Sequence, residues 1–449
     1  MDKPEFSGID TLQAAKVTRN KPTRAGGVYG VDKDLLLSAA PPRSAIIVMT
    51  VLIPFGCGYY LSYLFRTVNA VISPHLVREF GLDPADLGFL TSVYFVTFAA
   101  MQIPLGVILD QYGPRKVQTA LLLVAALGAA VFALGNSFLV ITIGRALIGV
   151  GVSSCLMSSF TANAIWWPKE RLALMNMLIM TFGSAGALSA TAPVHALLSV
   201  TDWRSLFLAL AIATAVLAVV TLLVVPERRS TASRSAGFAA QFAALPEILK
   251  SRLFWRYAAP FAICYSIYMS YQTLWAAPWL RDVAGLDQGG VADHMLLIQL
   301  GMFISVLGSG IIADRMRARG IGPERLFVAG IALAIVFQFI LVVMPNAAPA
   351  LFWTAYSVVA STMILCFAVL TERFPAAMTG RVITTANLMG IFCAFVFQWG
   401  IGAIIGTFAD KPGGGYLSEA HSTALIIMLA LQVCAFGTYF LFRKSSEGT

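Results

Sequence analysis

Residues 106–116, "GVILDQYGPRK", form a dense polar turn between two long apolar runs. A diverged copy of it, "GIIADRMRARG", occurs at residues 310–320. When the sequence is shifted by 204 residues without gaps, nine identical positions fall in one register. They include Pro74 with Pro278, Asp83 with Asp287, and Asp110 with Asp314. The sequence therefore predicts two halves that share one internal plan.

The composition predicts an integral membrane protein. Of the 449 residues, 58% are hydrophobic and only 12% are charged, whereas average soluble domains carry about 25% charged residues. Residues 117–135 and 205–225 contain no charge, and a bilayer core needs roughly 20 apolar residues of helix. We therefore predict an all-α protein that spans the bilayer.

Breaks rich in charged or turn residues divide the chain into twelve predicted transmembrane helices. Their approximate spans are 44–74, 86–109, 117–135, 138–165, 172–198, 204–225, 253–280, 293–313, 324–344, 349–371, 381–407 and 421–442. The predicted domains are a disordered tail (1–43), an N-terminal six-helix bundle (44–225), a cytoplasmic linker (226–252), a C-terminal six-helix bundle (253–442) and a short tail (443–449). Because each half has an even number of helices, a pseudo-twofold axis along the membrane normal should relate the bundles.

Lys and Arg residues set the predicted orientation. With the N-terminus placed in the cytoplasm, 25 of the 31 Lys and Arg residues fall on the cytoplasmic side and four on the outer side. This bias follows the positive-inside rule and places both termini in the cytoplasm. The net charge of +9 then reflects membrane orientation, because the sequence lacks the clustered basic and aromatic residues of a nucleic-acid surface.

Charges within the predicted helices are the best indication of a ligand. The 22 acidic residues lie in tails, loops or helix ends, and the deep ionisable residues are Arg66 and Arg145. At the helical rise of ~1.5 Å per residue, both lie roughly 10–12 Å below the outer surface. Buried charges in a membrane normally face a partner or a water-filled cavity, and Arg matches carboxylate or phosphate groups. Two alternatives stay open: Arg66 could reach outward to the interface, and Arg145 could have a structural or coupling role.

Polar and aromatic residues recur at helical spacing in both halves. They are Tyr59, Tyr63, Arg66 and Asn69 on helix 1, Tyr265, Tyr268 and Gln272 on helix 7, and Tyr356 on helix 10. Residues three or four apart share one face of a helix. Such a stripe is typical of either helix packing or a polar cavity wall, and its presence in both halves favours the cavity.

Several stretches together resemble the major facilitator superfamily of secondary transporters. "GVILDQYGPRK" is similar to its loop 2–3 signature, "GRALIGVGV" (144–152) to its helix 4 signature, and "RFPAAMTGRVITTAN" (373–387) to its loop 10–11. The resemblance implies two bundles that rock around a central cavity lined by helices 1, 4, 7 and 10. It also implies that loop 2–3 holds the cytoplasmic gate shut in the outward-open state.

The gating residues predicted from this loop are Gly106, Asp110, Gly113 and Arg115, with Asp314 and Arg315 in the second copy. Gly113 permits a tight turn, and Gly106 permits a close helix approach. Asp110 can accept hydrogen bonds from backbone N–H groups or pair with a cation, and Arg115 anchors the loop. The second copy has Arg317 in place of Gly113, which argues against equal roles for the two loops.

These observations predict a secondary transporter that moves a small organic anion by rocker-switch alternating access. Uptake is favoured because helix 5, at residues 182–193, lacks the full Gly-Pro pattern of the superfamily's antiporters. The alternatives are proton-driven efflux of drugs or metabolites and a transporter-like membrane receptor. The sequence shows no catalytic pair, metal-ligand spacing or nucleotide-binding loop, so we expect neither an enzyme nor a cofactor. The expected partners are the substrate, a co-transported proton and the lipid bilayer of the cell membrane. We expect the protein to be a monomer.

Overall fold

The computed structural model describes residues 44–168, 171–227, 245–408 and 415–444. Within these ranges the regular secondary structure is helical, and no strand is assigned. The predicted N-terminal tail, most of the predicted linker (228–244) and the last five residues (445–449) lie outside the described residues.

The first half consists of six membrane helices. They are α1 (Ala45–Thr67), the stretch Pro84–Leu134 that contains α2 and α3, α4 (Phe138–Trp166), α5 (Leu172–Ser189 with Ala192–Leu198) and α6 (Trp203–Val224). Past a break at Val68, α1 continues as the segment Asn69–Phe80. The stretch Pro84–Leu134 divides at Gly113, whose φ of 79° and ψ of 161° are not helical.

The second half also consists of six helices. They are α7 (Arg252–Ser270, Tyr271–Trp275 and Ala276–Asp282), α8 (Gln288–Ala318), α9 (Pro323–Val343), α10 (Pro349–Arg373), α11 (Ala376–Ile405) and α12 (Ser418–Lys444). Following the predicted orientation, the outer face is the one at which α2 begins at Pro84 and α8 at Gln288. The inner face is the opposite one.

Length and composition support the predicted membrane spans. Ten helices in the described ranges are long and apolar enough to cross a bilayer, and α5 makes an eleventh span if its two parts, bent by 41°, are counted together. The remaining helix, α7, carries several tyrosines and Gln272, which make it too polar to qualify by composition alone. The protein is therefore an all-α membrane protein of twelve helices in two six-helix bundles.

The structure repeats with the register predicted from the sequence. Gly81 and Gly285 adopt left-handed backbone conformations with φ of 63° and 69°, and each follows the outer end of a helix. Two residues later, Asp83 and Asp287 cap the N-termini of α2 and α8 by accepting hydrogen bonds from backbone N–H groups. A left-handed glycine and an acidic N-cap are common signals for ending one helix and starting the next. The repeated Gly-Leu-Asp motif therefore builds the same corner twice.

Two large hydrophobic cores fill the molecule, one centred on each half. The first includes Phe55, Tyr94 and Phe132, and the second includes Tyr257, Trp353 and Tyr356. Each core also takes in residues from the other half, with Met269 among the first set and Leu87 among the second. The two halves therefore pack directly against each other along a seam.

Glycines bring α2 and α11 very close together across this seam. A Cβ atom on Gly402 would lie 2.2 Å from the Pro84 carbonyl oxygen, and one on Gly88 would lie 2.8 Å from the Gln398 carbonyl oxygen. Small residues let helix backbones approach in this way. Because Pro84 begins α2 and Gly402 lies near the end of α11, this contact closes the seam near the outer face.

Several helices that the sequence predicted as continuous are interrupted. The first predicted span (44–74) contains a π-helical segment, Val48–Leu52, and breaks at Val68. Helix α4 breaks at Ser153 and Ser154, and α5 breaks after Ser189. In the 204-residue repeat, the break at Val68 corresponds to the π-helical segment Tyr271–Trp275 of α7. The predicted spans are therefore present, but they are not continuous α-helices at these points.

Candidate functional site

Arg66 lies against a wall of aromatic rings between α1 and α2. Its guanidinium carbon is 4.6 Å from the centre of the Tyr63 ring and 5.4 Å from that of Phe98. Tyr63 lies one turn earlier on α1, so the helical spacing itself places the ring beneath the cation. Aromatic faces attract guanidinium groups electrostatically, and the attraction strengthens away from water. The arginine is thus held by rings on two helices.

Arg145 lies on α4, and its side chain is fully buried. Its Nη1 atom donates a hydrogen bond of 3.0 Å to the carbonyl oxygen of Phe65, the residue before Arg66. A buried guanidinium that reaches the backbone of a neighbouring helix fixes the distance between the two helices. Here it ties α4 to the part of α1 that carries the other arginine.

Tyr94 of α2 connects the two arginines. Its ring centre is 5.9 Å from the guanidinium carbon of Arg66 and 5.3 Å from that of Arg145. Its hydroxyl donates a hydrogen bond of 3.2 Å to the Ser62 carbonyl oxygen, which fixes the ring against α1. Sequence reasoning missed this residue because the stretch 87–109 contains no charged residue, although Thr91 and Thr97 lie on the same helix face as Tyr94. The structure therefore brings Arg66 and Arg145 to one shared aromatic ring.

The two arginines keep unused hydrogen-bond donors. The Nε atom of Arg66 and the Nε and Nη2 atoms of Arg145 are buried without a hydrogen-bond partner. Within the described ranges, no carboxylate lies within salt-bridge distance of either guanidinium. A buried donor without a partner costs about 1–3 kcal/mol, and more when it is charged. The geometry therefore favours an acceptor with negative charge at this place.

The other predicted residues of helix 1 flank the arginine pair. Tyr59 packs edge to face on Tyr63 at 5.1 Å, and its hydroxyl contacts the sulfur of Met180 on α5 at 3.8 Å. Asn69 is fully buried beyond the break at Val68 and donates a hydrogen bond of 3.0 Å to the Thr91 hydroxyl. Its Oδ1 atom has no partner. The polar face predicted from helical spacing is thus present around Arg66.

The predicted residues of α7 and α10 lie partly at the seam and partly inside the C-terminal half. Tyr265 is half-buried, packs against both hydrophobic cores and stacks on Phe261 at 5.4 Å. Tyr268 shares a hydrogen bond of 2.7 Å with the Ser357 hydroxyl, and Tyr356 donates one of 2.9 Å to Gln338. Gln272 donates to Gln299 at 2.8 Å. The last three therefore bond to residues of their own half, and Tyr265 reaches the other half.

Loop 2–3 contacts the end of α6. Arg115 donates to the Leu222 carbonyl oxygen, and Lys116 pairs with Glu227 at 2.6 Å. Asp110 is exposed, and among the described residues it has no ion-pair partner. Gly106 is half-buried on α2. The positive φ of Gly113, with Pro114 directly after it, gives the tight turn expected before a new helix.

The second copy of the loop turns at a different residue. Arg317, which aligns with Gly113, is helical, and α8 continues to Ala318 before Gly320 takes a φ of 75°. Arg315 is exposed, and the side chain of Asp314 lies outside the described residues. The left-handed glycine has therefore moved three residues along the chain, so the two loops differ in shape as well as in sequence.

A cluster that the sequence did not indicate lies at the inner face of the second half. Glu324, in the first turn of α9, accepts hydrogen bonds from three other helices. The donors are Arg256 at 3.1 Å, Tyr257 at 2.9 Å, Arg373 at 2.5 Å and Tyr439 at 2.6 Å. One carboxylate thereby joins α7, α9, α10 and α12. Sequence reasoning could not find it because its donors come from three segments that are far apart in the chain, at residues 256–257, 373 and 439.

Comparison with known proteins identifies the family. The sequence profile described as "Major Facilitator Superfamily" matches residues 55–398, more than three quarters of the chain. The chain belongs to the Major Facilitator Superfamily. The matched range includes Arg66, Tyr94, Arg145 and both copies of the loop, so membership rests on the same segments that build the site. Membership in this family indicates a transporter rather than an enzyme.

Individual relatives of the superfamily are similar over shorter stretches. A probable sulfoacetate transporter, SauU, of Cupriavidus necator is 26% identical over 34% of this chain and 35% of its own length. The nitrate/nitrite transporter NrtP of a Picosynechococcus species is 27% identical over 29% of this chain and 24% of its own length. The chain thus aligns with only about a third or less of either relative.

A solved superfamily structure matches the whole fold. A bacterial homolog of the human lysosomal transporter Spinster, in an inward-facing and occupied conformation, has a TM-score of 0.72 to this chain. It covers 90% of this chain and 98% of the other at 16% sequence identity. At this identity the match supports the fold alone.

Proposed function

We propose that this protein carries a small organic anion across the cell membrane and binds it at Arg66 and Arg145. The single observation that supports this most is the pair of guanidinium groups that share the Tyr94 ring, carry buried N–H donors without a partner, and have no carboxylate within salt-bridge distance among the described residues. An anion would satisfy these donors and offset the buried charge. The two relatives are named for transport of sulfoacetate and of nitrate or nitrite, which are anions as well.

In this proposal the aromatic residues enclose the rest of the substrate. Tyr59, Tyr63 and Tyr94 surround the arginines from the first half, and Tyr265 faces the same core from the second half. Asn69 offers an unused acceptor at the outer side. Tyr268, Gln272 and Tyr356 would hold the shape of the second wall through their hydrogen bonds. Such a site would accept a small substrate with one negatively charged end.

Transport would proceed by rocking the N-terminal bundle (44–225) against the C-terminal bundle (253–442). The close contact of α2 and α11 closes the outer face in the present conformation. Opening it requires the inner face to close, and Asp110 of loop 2–3, which is exposed and has no ion-pair partner among the described residues, is available for a new contact there. We assign the gating role to Gly106, Asp110, Gly113 and Arg115, with Asp314 and Arg315 in the second loop. Uptake coupled to a proton, in a monomer with both termini in the cytoplasm, is the mode we favour.

The test measures anion binding and transport in matched variants. Purified protein is screened by thermal shift with sulfoacetate, nitrate and neutral or cationic solutes of similar size, and the best ligand is then followed as flux into liposomes. Arg66→Gln and Arg145→Gln should each weaken binding about tenfold or more, because a hydrogen bond to a charged group contributes about 1.5–3 kcal/mol. Arg66→Lys and Arg145→Lys keep the charge and should lose less.

Arg325→Gln is the matched control. This arginine is exposed at the inner face and away from the site, so the same loss of charge should leave binding unchanged. If both site variants fold and bind the anion as tightly as the wild type, the arginine site is wrong. If only neutral or cationic solutes stabilise the protein, the anion class itself is wrong.

A further inference from the structure

Aromatic rings of the N-terminal half surround Arg66. The guanidinium carbon lies 4.6 Å from the centre of the Tyr63 ring, and it lies 5.9 Å and 5.4 Å from those of Tyr94 and Phe98. The last two rings are 6.1 Å apart, with an angle of 23° between their planes. The place where the proposed function puts the charged end of the substrate is therefore bounded by rings.

Tyr265 brings a ring of the C-terminal half to the same place. It packs against both hydrophobic cores, and it is close enough to Tyr63 and Arg66 to interact with them electrostatically. One face of its ring stacks on Phe261, with centres 5.4 Å apart and planes 12° from parallel. Tyr268, one turn further along α7, lies 6.2 Å from it. The seam beside Arg66 is thus lined by tyrosine rings from both halves.

The rings at the seam keep accessible surface. Tyr63 and Tyr265 are half-buried, as is Arg66 between them, whereas Tyr94 and Tyr257 inside the two bundles are fully buried. Rings that only fill a core are closed off by their neighbours. Because the half-buried rings belong to different bundles, rocking changes the space between them. They therefore offer apolar, flat surface to a ligand at the seam.

Hydrogen-bonding groups for the uncharged part of a substrate are few in these surroundings. The amide of Asn69 already donates to Thr91, which leaves its Oδ1 atom unpartnered. Tyr268 and Gln272 use their polar groups within the C-terminal half. A substrate with many hydroxyls would bury polar groups without partners, which is costly, whereas an aromatic ring needs no such partners. The surroundings therefore favour a flat apolar body.

We propose that the anion carried by this protein is an aromatic carboxylate. Its carboxylate binds at Arg66 and Arg145, as in the proposed function on which this inference rests, and its ring lies against Tyr63 and Tyr265 at the seam. Aromatic rings attract one another in offset and edge-to-face arrangements, beyond the effect of burying their area. One such contact corresponds to a preference of roughly two- to twelvefold over a saturated ring.

The test compares three carboxylates that differ in the body attached to the charge. Purified protein in lipid nanodiscs is titrated with radiolabelled benzoate, and unlabelled cyclohexanecarboxylate and gluconate compete for the site. Binding to empty nanodiscs is subtracted. Benzoate should bind several-fold more tightly than cyclohexanecarboxylate and far more tightly than gluconate. Burial of apolar area alone predicts the opposite order for the first pair, because the saturated ring is the more hydrophobic of the two.

Variants of Tyr265 show whether its ring reads the substrate. Tyr265→Leu should lower the preference for benzoate over cyclohexanecarboxylate several-fold, whereas Tyr265→Phe keeps the ring and should keep the preference. Cyclohexanecarboxylate binding in the leucine variant shows that the site is still folded. Phe339→Leu is the matched control, because this ring is 54% exposed on α9 and its loss should leave both affinities unchanged. Equal preference in Tyr265→Leu and the wild type would exclude this ring from the site.

Arg66→Gln separates this inference from the proposed function. It should weaken the binding of benzoate and cyclohexanecarboxylate by the same factor and leave their ratio unchanged. If the wild type binds sulfoacetate or gluconate more tightly than benzoate, or does not distinguish the two cyclic acids, the aromatic class is wrong while the anion site stands. If uncharged benzyl alcohol binds as tightly as benzoate, the anion site is wrong, and this inference fails with it.

Discussion

The contact between Gly402 and Pro84 makes a specific prediction about the conformational equilibrium. A methyl group on Gly402 would lie 2.2 Å from the Pro84 carbonyl oxygen and 2.9 Å from the Trp275 ring, whereas ordinary contacts of a Cβ atom are 3.4 Å or longer. The helices would have to separate by about 1 Å, and overpacking of this kind costs about 1–3 kcal/mol. Because α2 and α11 belong to different halves, this cost falls on the conformation that is closed at the outer face.

The expected result of Gly402→Ala is therefore a shift toward the outward-open state. A change of about 1–3 kcal/mol corresponds to a factor of roughly 5–150 in the equilibrium. The measurement is the rate at which a membrane-impermeant maleimide labels an added Ala277→Cys thiol in intact cells at pH 7.5. Ala277 lines a small cavity between the two halves at the outer face. The rate should rise by a factor within this range if the parent is mostly closed. Thermal unfolding of the same variant shows whether the fold itself is weakened.

Gly400→Ala is the matched control on the same helix. A Cβ atom at Gly400 meets nothing within 4 Å, and the gain in helix propensity from glycine to alanine, about 1 kcal/mol, is the same at both positions. Labelling of the Gly400→Ala variant should equal that of the parent. If both variants label alike, or if Gly402→Ala lowers the unfolding temperature without changing access, the contact does not control the outer gate.

Two further predictions concern the inner face. Glu324→Gln should lower the free energy of unfolding by about 1–3 kcal/mol, because it replaces a charged acceptor of the buried Arg256 with a neutral amide. Glu372→Gln breaks an exposed ion pair and should cost no more than about 1 kcal/mol in the same thermal or chemical denaturation. Equal losses in the two variants would contradict the difference in burial. Gly113→Ala should cost about 1–3 kcal/mol, because φ of 79° with ψ of 161° is a region that only glycine adopts readily. Gly380→Ala, in α11 with no atom near its Cβ, should be neutral or stabilising, and the same loss at both glycines would refute the role of backbone conformation.

Hydrophobicity and the repeat allowed much of the fold to be predicted from the sequence. Uninterrupted apolar runs identify membrane helices because the bilayer demands them. The repeated Gly-Leu-Asp motif set the register because its glycine and aspartate have local structural roles. Gly81 and Gly285 adopt left-handed conformations, and Asp83 and Asp287 cap the N-termini of the helices that follow. Local chemistry of this kind is readable without knowledge of the neighbours.

The interruptions in the helices were not predictable in the same way. Val68 and Ser153 carry no local signal that excludes a helix, and the breaks there depend on how α1 and α4 pack. Arg66 and Arg145 stood out as charges in apolar segments, but their shared partner, Tyr94, is a common aromatic residue in a helix. Which ring lies between two cations depends on the rotation of three helices about their axes, and one sequence does not contain that information.

Under the proposed anion transport, the arginine pair has an electrical consequence for the transport cycle. Guanidinium groups inside the membrane feel part of the voltage across it, and a full crossing is equivalent to about 2.3 kcal/mol per elementary charge at 100 mV. An empty carrier keeps this positive charge, since no carboxylate among the described residues cancels it, while a bound anion reduces it. Loaded and empty forms therefore respond differently to the membrane potential, and the voltage acts on turnover through two side chains that never leave the protein.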